Sequence, residues 1–389
     1  MAGPLEGVKV VELGVWVAGP AAGGILADWG ADVIKIEPPT GDPARTFGKM
    51  LGTDLGTNPP FEMDNRSKRS VVLDLTTDEA RTAALELLDT ADVFVTNVRR
   101  RALQGLRLDF ESVSARNSRL VYGLITGYGE TGPDADRPAY DVAAFWSRAG
   151  VAHLLTRPGQ TPPFQRGGMG DHAAGMTLVA AICAALVARD RTGTGQLVTT
   201  SLYRQGAYTV SFDLNTYLLT GQSIAIGQRE SMGNPCMNNY AAGDGRPFWI
   251  VGLQGDRHWP ALCRVVGRTD WLTNPRYSHA RARAANAVEL IAELDAIFAT
   301  KPLDEWAQVF AREPELFWSP INTLEDVVTD EQFHAAGGVV EVPDGQAAVP
   351  MVATPADFHG TPWAPRSTAP ELGQHTDEVL AGLKPGPKR

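Results

Sequence analysis

One carboxylate in a glycine-rich frame is the side chain best suited to chemistry. Residues 166–175 read Arg-Gly-Gly-Met-Gly-Asp-His-Ala-Ala-Gly, and Asp171 is the only acid among them. Residues 176–188 follow with no charge and many helix formers. The spacing predicts a flexible loop, then Asp171 near a helix N-cap, then a buried helix. An acid there has two possible tasks. It can cap the helix by accepting from the free N–H groups of the first turn, the commoner use of an acid at this position. It can instead be presented to a substrate as a nucleophile, because well-positioned carboxylates form covalent intermediates. Other chemistries lack their signatures: there is no G-x-S-x-G, H-E-x-x-H, P-loop or C-x-x-C. His172 reads as an orienting neighbour of Asp171, and Tyr140 as a polar partner in a preceding loop.

The elements that must position these residues alternate regularly. Residues 8–13 read as a buried strand, and residues 14–24 as a glycine-rich turn opening a helix that runs to Trp29. Residues 32–37 read as a second strand, 70–75 as a third, 93–95 as a fourth and 120–125 as a fifth. Thr76 to Glu79 form a capping box for a helix reaching about Leu88. This alternation predicts an α/β fold with a parallel sheet and helices on its faces. Ligands of such sheets bind beyond the carboxyl ends of the strands. Trp16, Val17, Asn97, Arg99 and Tyr140 all follow predicted strand ends, so one sheet edge should gather them. The glycines at 14, 19, 23 and 24 do not spell G-x-G-x-x-G, which counts against a nucleotide-binding oxidoreductase. Arg45, Arg66, Lys68, Arg69 and residues 99–101, all arginine, flank the same edge and suit a polyphosphate. Each alone reads equally as a solvated surface charge. Residues 224–312 lose the alternation and read as a smaller second domain after a large domain over 1–223.

Composition bounds the partners. The 389 residues are 43% hydrophobic and 21% charged, with a formal charge of −10. An acidic balance of this kind predicts no nucleic-acid or membrane-surface partner. The apolar run ending at Ala188 reads as shorter than a membrane span. Three scattered cysteines give no disulfide framework and no metal site, and suit a reducing cytoplasm.

The residues also resemble a known family. The opening Val10-Glu-Leu-Gly…Ala18-Gly-Pro20, with residues 30–37, looks like the start of the family III coenzyme A transferases, which include formyl-CoA transferase. Asn65, Lys68 to Ser70, Asn97, Gly127 to Gly129, Arg137 to Asp141, Gly170-Asp171, Pro320 to Thr323 and Leu372 to Thr376 continue the match along nearly the whole chain. The resemblance implies a Rossmann-like large domain closed by residues 313–389, an inserted small α+β domain, and two chains interlocked as a homodimer. It implies that Asp171 is the catalytic nucleophile. It carries coenzyme A contacts onto Ala18, Leu73, Asp74, Asn97 and Tyr140. Trp16 and Val17 share that loop, but formyl-CoA transferase has glutamine where Val17 stands and arginine where Pro38 stands. Arg45 or the cluster beginning at Arg99 is expected to pair with phosphates instead. The implied activity moves coenzyme A from an acyl-CoA to a carboxylic acid, with no permanently bound cofactor. A competing activity within the same superfamily is α-methylacyl-CoA racemisation. It calls for a histidine base where Tyr140 stands, and a phenol titrating near 10 is a poor base. A coenzyme A-binding protein without catalysis is the other alternative. Phe145, Trp146 and Trp318 are expected to line an acyl pocket.

Overall fold

The computed structural model describes residues 3–50, 56–224 and 227–383. Short Val- and Ile-rich runs bounded by glycine turns build one six-stranded sheet. Its strands are β1 (Lys9–Leu13), β2 (Asp32–Glu37), β3 (Arg69–Val72), β4 (Val93–Thr96), β5 (Val121–Thr126) and β6 (Leu197–Ser201). All are parallel, in the order β3-β2-β1-β4-β5-β6. The chain runs outward from β1 in both directions, so a crevice opens beyond the carboxyl ends of β1 and β4.

Two helices on one face set what lies in that crevice. Helix α1 (Ala18–Asp28) follows β1 directly, and α2 (Pro59–Asn65) packs beside it. Helix α3 (Asp78–Asp89) and α4 (Arg100–Leu106) follow β3 and β4. Helix α5 (Met169–Thr192) crosses α1 through small residues. A methyl on Gly175 would lie 3.1 Å from the Ala21 Cβ and 3.2 Å from the Ala18 carbonyl oxygen. Helix α5 begins at Met169, two residues before Asp171, close to the start expected from the sequence. Gly170 and Gly175 are contact points inside the helix rather than parts of a flexible loop. By length and composition α5 could cross a membrane. Its Leu178, Val179, Ile182 and Ala185 are buried in the core, and Ile182 fits against the bare Gly123 of β5.

The chain divides into two compact units. One comprises Met1–Thr156, Pro162–Ser223 and His334–Arg389. The other comprises Arg157–Thr161 and Ile224–Phe333. In the second, β7 (Met237–Ala241), β8 (Pro247–Val251) and β9 (Trp318–Pro320) form an antiparallel sheet. Its core holds the stacked Trp259 and Trp271 with Phe248 and Phe298. The loss of strand–helix alternation places the end of the small domain at 312. Instead β9 pairs with β8, so that stretch completes the second unit's sheet. Later residues dress the first unit. An unexpected hairpin, β10 (Val339–Asp344) and β11 (Ala347–Val352), turns at Gly345 with φ +61°. Beyond it the chain covers the exposed edge of the sheet. The His375 N–H donates to the Ser70 carbonyl at 3.0 Å, and the Val72 N–H donates to Thr376 Oγ1 at 3.0 Å.

Candidate active site

Helix α5 is capped by an acid from another segment. Its N-cap is Gly168, at φ +77° and with no side chain to accept a bond. Asp171 lies in the first turn, and its carboxylate takes no part in capping. The Gly170 N–H donates to Asp141 Oδ2 at 3.0 Å and the Asp171 N–H to the same oxygen at 3.4 Å. Asp141 does the work that the sequence suggested for Asp171. Among the described residues no donor holds the Asp171 carboxylate. Burial, and then the Asp141 charge beside it, push its carboxyl up to about 7. His172 acts in the opposite direction on Asp171. Its Nε2 lies 3.0 Å from Asp64 Oδ1, and that hydrogen bond raises the imidazole above its ordinary range. A desolvated carboxylate free of hydrogen bonds is a competent nucleophile whenever it is ionised.

Gly170 is required by this arrangement. A methyl there would stand 2.2 Å from Asp141 Oδ1 and 2.3 Å from the Phe145 ring. Gly170→Ala should destabilise the protein by about 1–3 kcal/mol in denaturant melts, as overpacking does. Gly167→Ala meets nothing within 4 Å and is the control, with an expected change within about 0.5 kcal/mol.

Asp171 lines a cavity of about 440 Å³ at the crevice beyond β1, β4 and β5. Trp16, Val17, Ala18, Asn97, Arg99 and Tyr140 line it too. The β1–α1 loop is held from below. Asn97 Oδ1 accepts from the Val15 N–H at 3.0 Å, and Asn97 Nδ2 donates to the Val15 carbonyl at 2.8 Å. Asp42 Oδ1 accepts from the Trp16 N–H at 3.0 Å. Beneath lies a buried ion cluster. Lys35 Nζ is 2.9 Å from both Glu12 and Asp42, and Lys68 Nζ is 2.7 Å from Glu12, with all four side chains inaccessible to solvent. Burial alone would raise the Glu12 carboxyl, but the two lysines hold it below its ordinary range.

The other expected contacts lie elsewhere. Arg45 donates to Glu37 through Nε and Nη2, each at 2.7 Å, and its guanidinium stacks on Phe61. Burial pushes Glu37 up, but Arg45, Lys35 and Ser70 outweigh it and leave its carboxyl at about 2. Leu73 is buried, and Asp74 accepts from Thr76 at the exposed end of β3; neither lines the cavity. Arg66 is paired with Asp28 and Lys68 with Glu12 in the interior, and the partly exposed Arg69 is paired with Asp32, so each already has an acidic partner. Arg99 and Arg101 make no ion pair among the described residues and share a second hollow with Asp136. Phe145 and Trp146 are core residues, and Trp318 belongs to the second unit's sheet, so none of the three lines the cavity. Its aromatic wall is Trp16 against Tyr140 at 6.0 Å, with Phe47 behind Trp16 at 6.2 Å. Sequence reasoning missed Asp42, Asp64 and the capping role of Asp141. Only the last left a trace, as the acid following Tyr140.

Residues 5–376 match the profile described as CoA-transferase family III. The chain belongs to that family. It is 34% identical over 386 residues to the (R)-2-hydroxy-4-methylpentanoate CoA-transferase of Clostridioides difficile, covering 97% of this chain and 95% of that one. It is 33% identical to the cinnamoyl-CoA:phenyllactate CoA-transferase of Clostridium sporogenes, covering 96% and 92%. A CAIB/BAIF family protein from Brucella suis superposes with a TM-score of 0.87 at 33% identity, covering 99% of this chain and 100% of that one. The six-stranded parallel sheet is thus the sheet of the CaiB/BaiF structures. As a family III CoA-transferase the protein is an enzyme whose substrates are CoA thioesters.

Proposed function

We propose that this CoA-transferase works through covalent intermediates on Asp171. The observation that carries the reading is a carboxylate that lines the cavity, is free of hydrogen bonds and is raised to about 7. The Asp171 carboxylate attacks the thioester carbonyl of an acyl-CoA. The C–S bond breaks, giving an aspartyl–acyl anhydride and coenzyme A thiolate. The thiolate attacks the Asp171 carbonyl and expels the donor carboxylate, leaving an aspartyl–CoA thioester. The acceptor carboxylate then attacks that thioester; the C–S bond breaks, the thiolate leaves, and a second anhydride joins Asp171 to the acceptor. Attack of the thiolate on the acceptor's acyl carbonyl restores Asp171 and yields the new acyl-CoA. No net proton is consumed. Val17, Ala18, Asn97 and Tyr140 hold the pantetheine end, and Arg99 with Arg101 takes the phosphates. The acyl groups of donor and acceptor carry an apolar side chain, in keeping with the two clostridial relatives named for (R)-2-hydroxy-4-methylpentanoate and for cinnamoyl-CoA and phenyllactate.

Hydroxylamine added during turnover should convert Asp171 to its hydroxamate, read by peptide mass spectrometry; an unmodified Asp171 in an enzyme that is turning over would sink the covalent mechanism. The pH profile is a second test. Only ionised Asp171 attacks, so kcat/KM should rise about tenfold per pH unit below about 7 and level off above it. Asp141→Asn keeps an oxygen for the Gly170 and Asp171 N–H groups but removes a negative neighbour. The acidic limb should therefore move to lower pH.

Two chains are expected to assemble as an interlocked homodimer. The helix Ser211–Thr220 buries none of its residues, and Phe212, Leu218 and Leu219 are 78%, 77% and 86% exposed. Light scattering should report twice the 41.7 kDa chain mass. The three free cysteines suit a reducing cytoplasm.

A further inference from the structure

Trp16 has φ +65°, one of few residues other than glycine in the left-handed region. A tryptophan there is strained, and glycine would be free of that strain. Such conformations persist where the surroundings over-determine them, and they cluster where they serve a ligand. Here hydrogen bonds and ring contacts over-determine the loop. The Trp16 N–H donates to Asp42, Asn97 brackets Val15 on both sides, and Lys35 donates to the Gly14 carbonyl at 3.0 Å and to Asp42 at 2.9 Å. The indole meets Tyr140 and Phe47 edge-on, which fixes its remaining freedom. The same loop reaches the cap of α5: Val17 Cγ1 is 3.7 Å from where a Gly168 Cβ would stand. The wall therefore belongs to the Asp171 end of the cavity, where the acyl group must react.

We infer that Trp16 is the specificity-determining residue for the acyl group, and that Asp42 is the positioning residue that holds it. The inference rests on the reading that this cavity takes acyl-CoA. A rigid aromatic wall selects by shape at little ordering cost. It favours a compact apolar acyl side chain lying against the indole and excludes longer ones.

Trp16→Gly tests this cleanly, because glycine keeps the backbone and removes only the indole. Titration calorimetry would compare acetyl-, 4-methylpentanoyl- and octanoyl-CoA with free CoA. The expected result is a change of about tenfold or more in the ratio of octanoyl- to 4-methylpentanoyl-CoA affinity, the size of a lost pocket contact, with free CoA unchanged. Asp42→Ala, which removes the acceptor of the Trp16 N–H, should shift the same ratio in the wild-type background and leave it unchanged in Trp16→Gly. If Asp42→Ala does not fold, Trp16→Gly alone decides. An equal loss for free CoA and every acyl-CoA, or an unchanged ratio, overturns the inference. Re-ranked binding without Asp171 hydroxamate during turnover would overturn the covalent mechanism and leave this inference standing. A wild-type enzyme that binds no CoA species overturns both.

Discussion

Asp171→Asn should abolish transfer and stabilise the protein in the same substitution. Loss of a covalent nucleophile is expected to lower kcat by about 10^4-fold, as in other enzymes that use one. The stability effect follows from the raised carboxyl. Folded Asp171 titrates near 7, against an ordinary value of 3.8. Between those values the folded state holds a proton that the unfolded chain has lost, so stability falls as pH rises through the window. At about 1.4 kcal/mol per pH unit, the asparagine variant should gain about 2–4 kcal/mol above pH 8. The gain should vanish near pH 4. Melting curves of both proteins at a series of pH values would read this without any substrate. Equal stability at pH 8 would mean that Asp171 is solvated, and would remove the physical basis for its reactivity.

Lys68→Met carries the largest expected stability cost. Lys68 Nζ donates to Glu12 Oε2, to the Pro20 carbonyl at 2.9 Å and to Asn65 Oδ1 at 3.1 Å. Removing it leaves the buried Glu12 with Lys35 as its one counter-charge. Breaking a buried pair in this way costs about 3–5 kcal/mol. Urea melts at pH 7 would measure it. Arg246→Ala, which breaks the exposed pair with Asp304, should cost less than about 1 kcal/mol and calibrate the comparison. A small loss in Lys68→Met would mean that water reaches the cluster. The cost would also reach the site, because Glu12 holds Lys35, and Lys35 holds Asp42 beneath Trp16.

The sheet was legible because its signal is local. Each strand is a short apolar run ended by glycine or by a polar turn, and the alternation with helices implies parallel pairing. The sheet edge that gathers Trp16, Asn97 and Tyr140 follows from topology alone. The glycines beside Asp171 were misread, because glycine signals freedom in a sequence and close approach in a packed interior. Gly170 against Asp141 and Gly175 against α1 are both the second case. The arginines and lysines of residues 45–69 were misread for a related reason. Their partners Asp28, Asp32, Glu12 and Glu37 lie on other elements, and long-range pairing leaves no local pattern. The hairpin at 339–352 did leave one: Asp344-Gly345 between alternating apolar residues is a strong turn signal.

The way the last residues cover β3 orders events during synthesis. Ser70 and Val72 find partners in His375 and Thr376, which are translated some three hundred residues later. Until that segment has left the ribosome, the edge of the sheet offers unpaired backbone groups to any passing strand. The second unit, complete at Phe333, has everything for its own sheet before then. The free edge of β3 is therefore closed by a segment made long after it. Nascent chains stalled before residue 375 should be the species that most needs a chaperone.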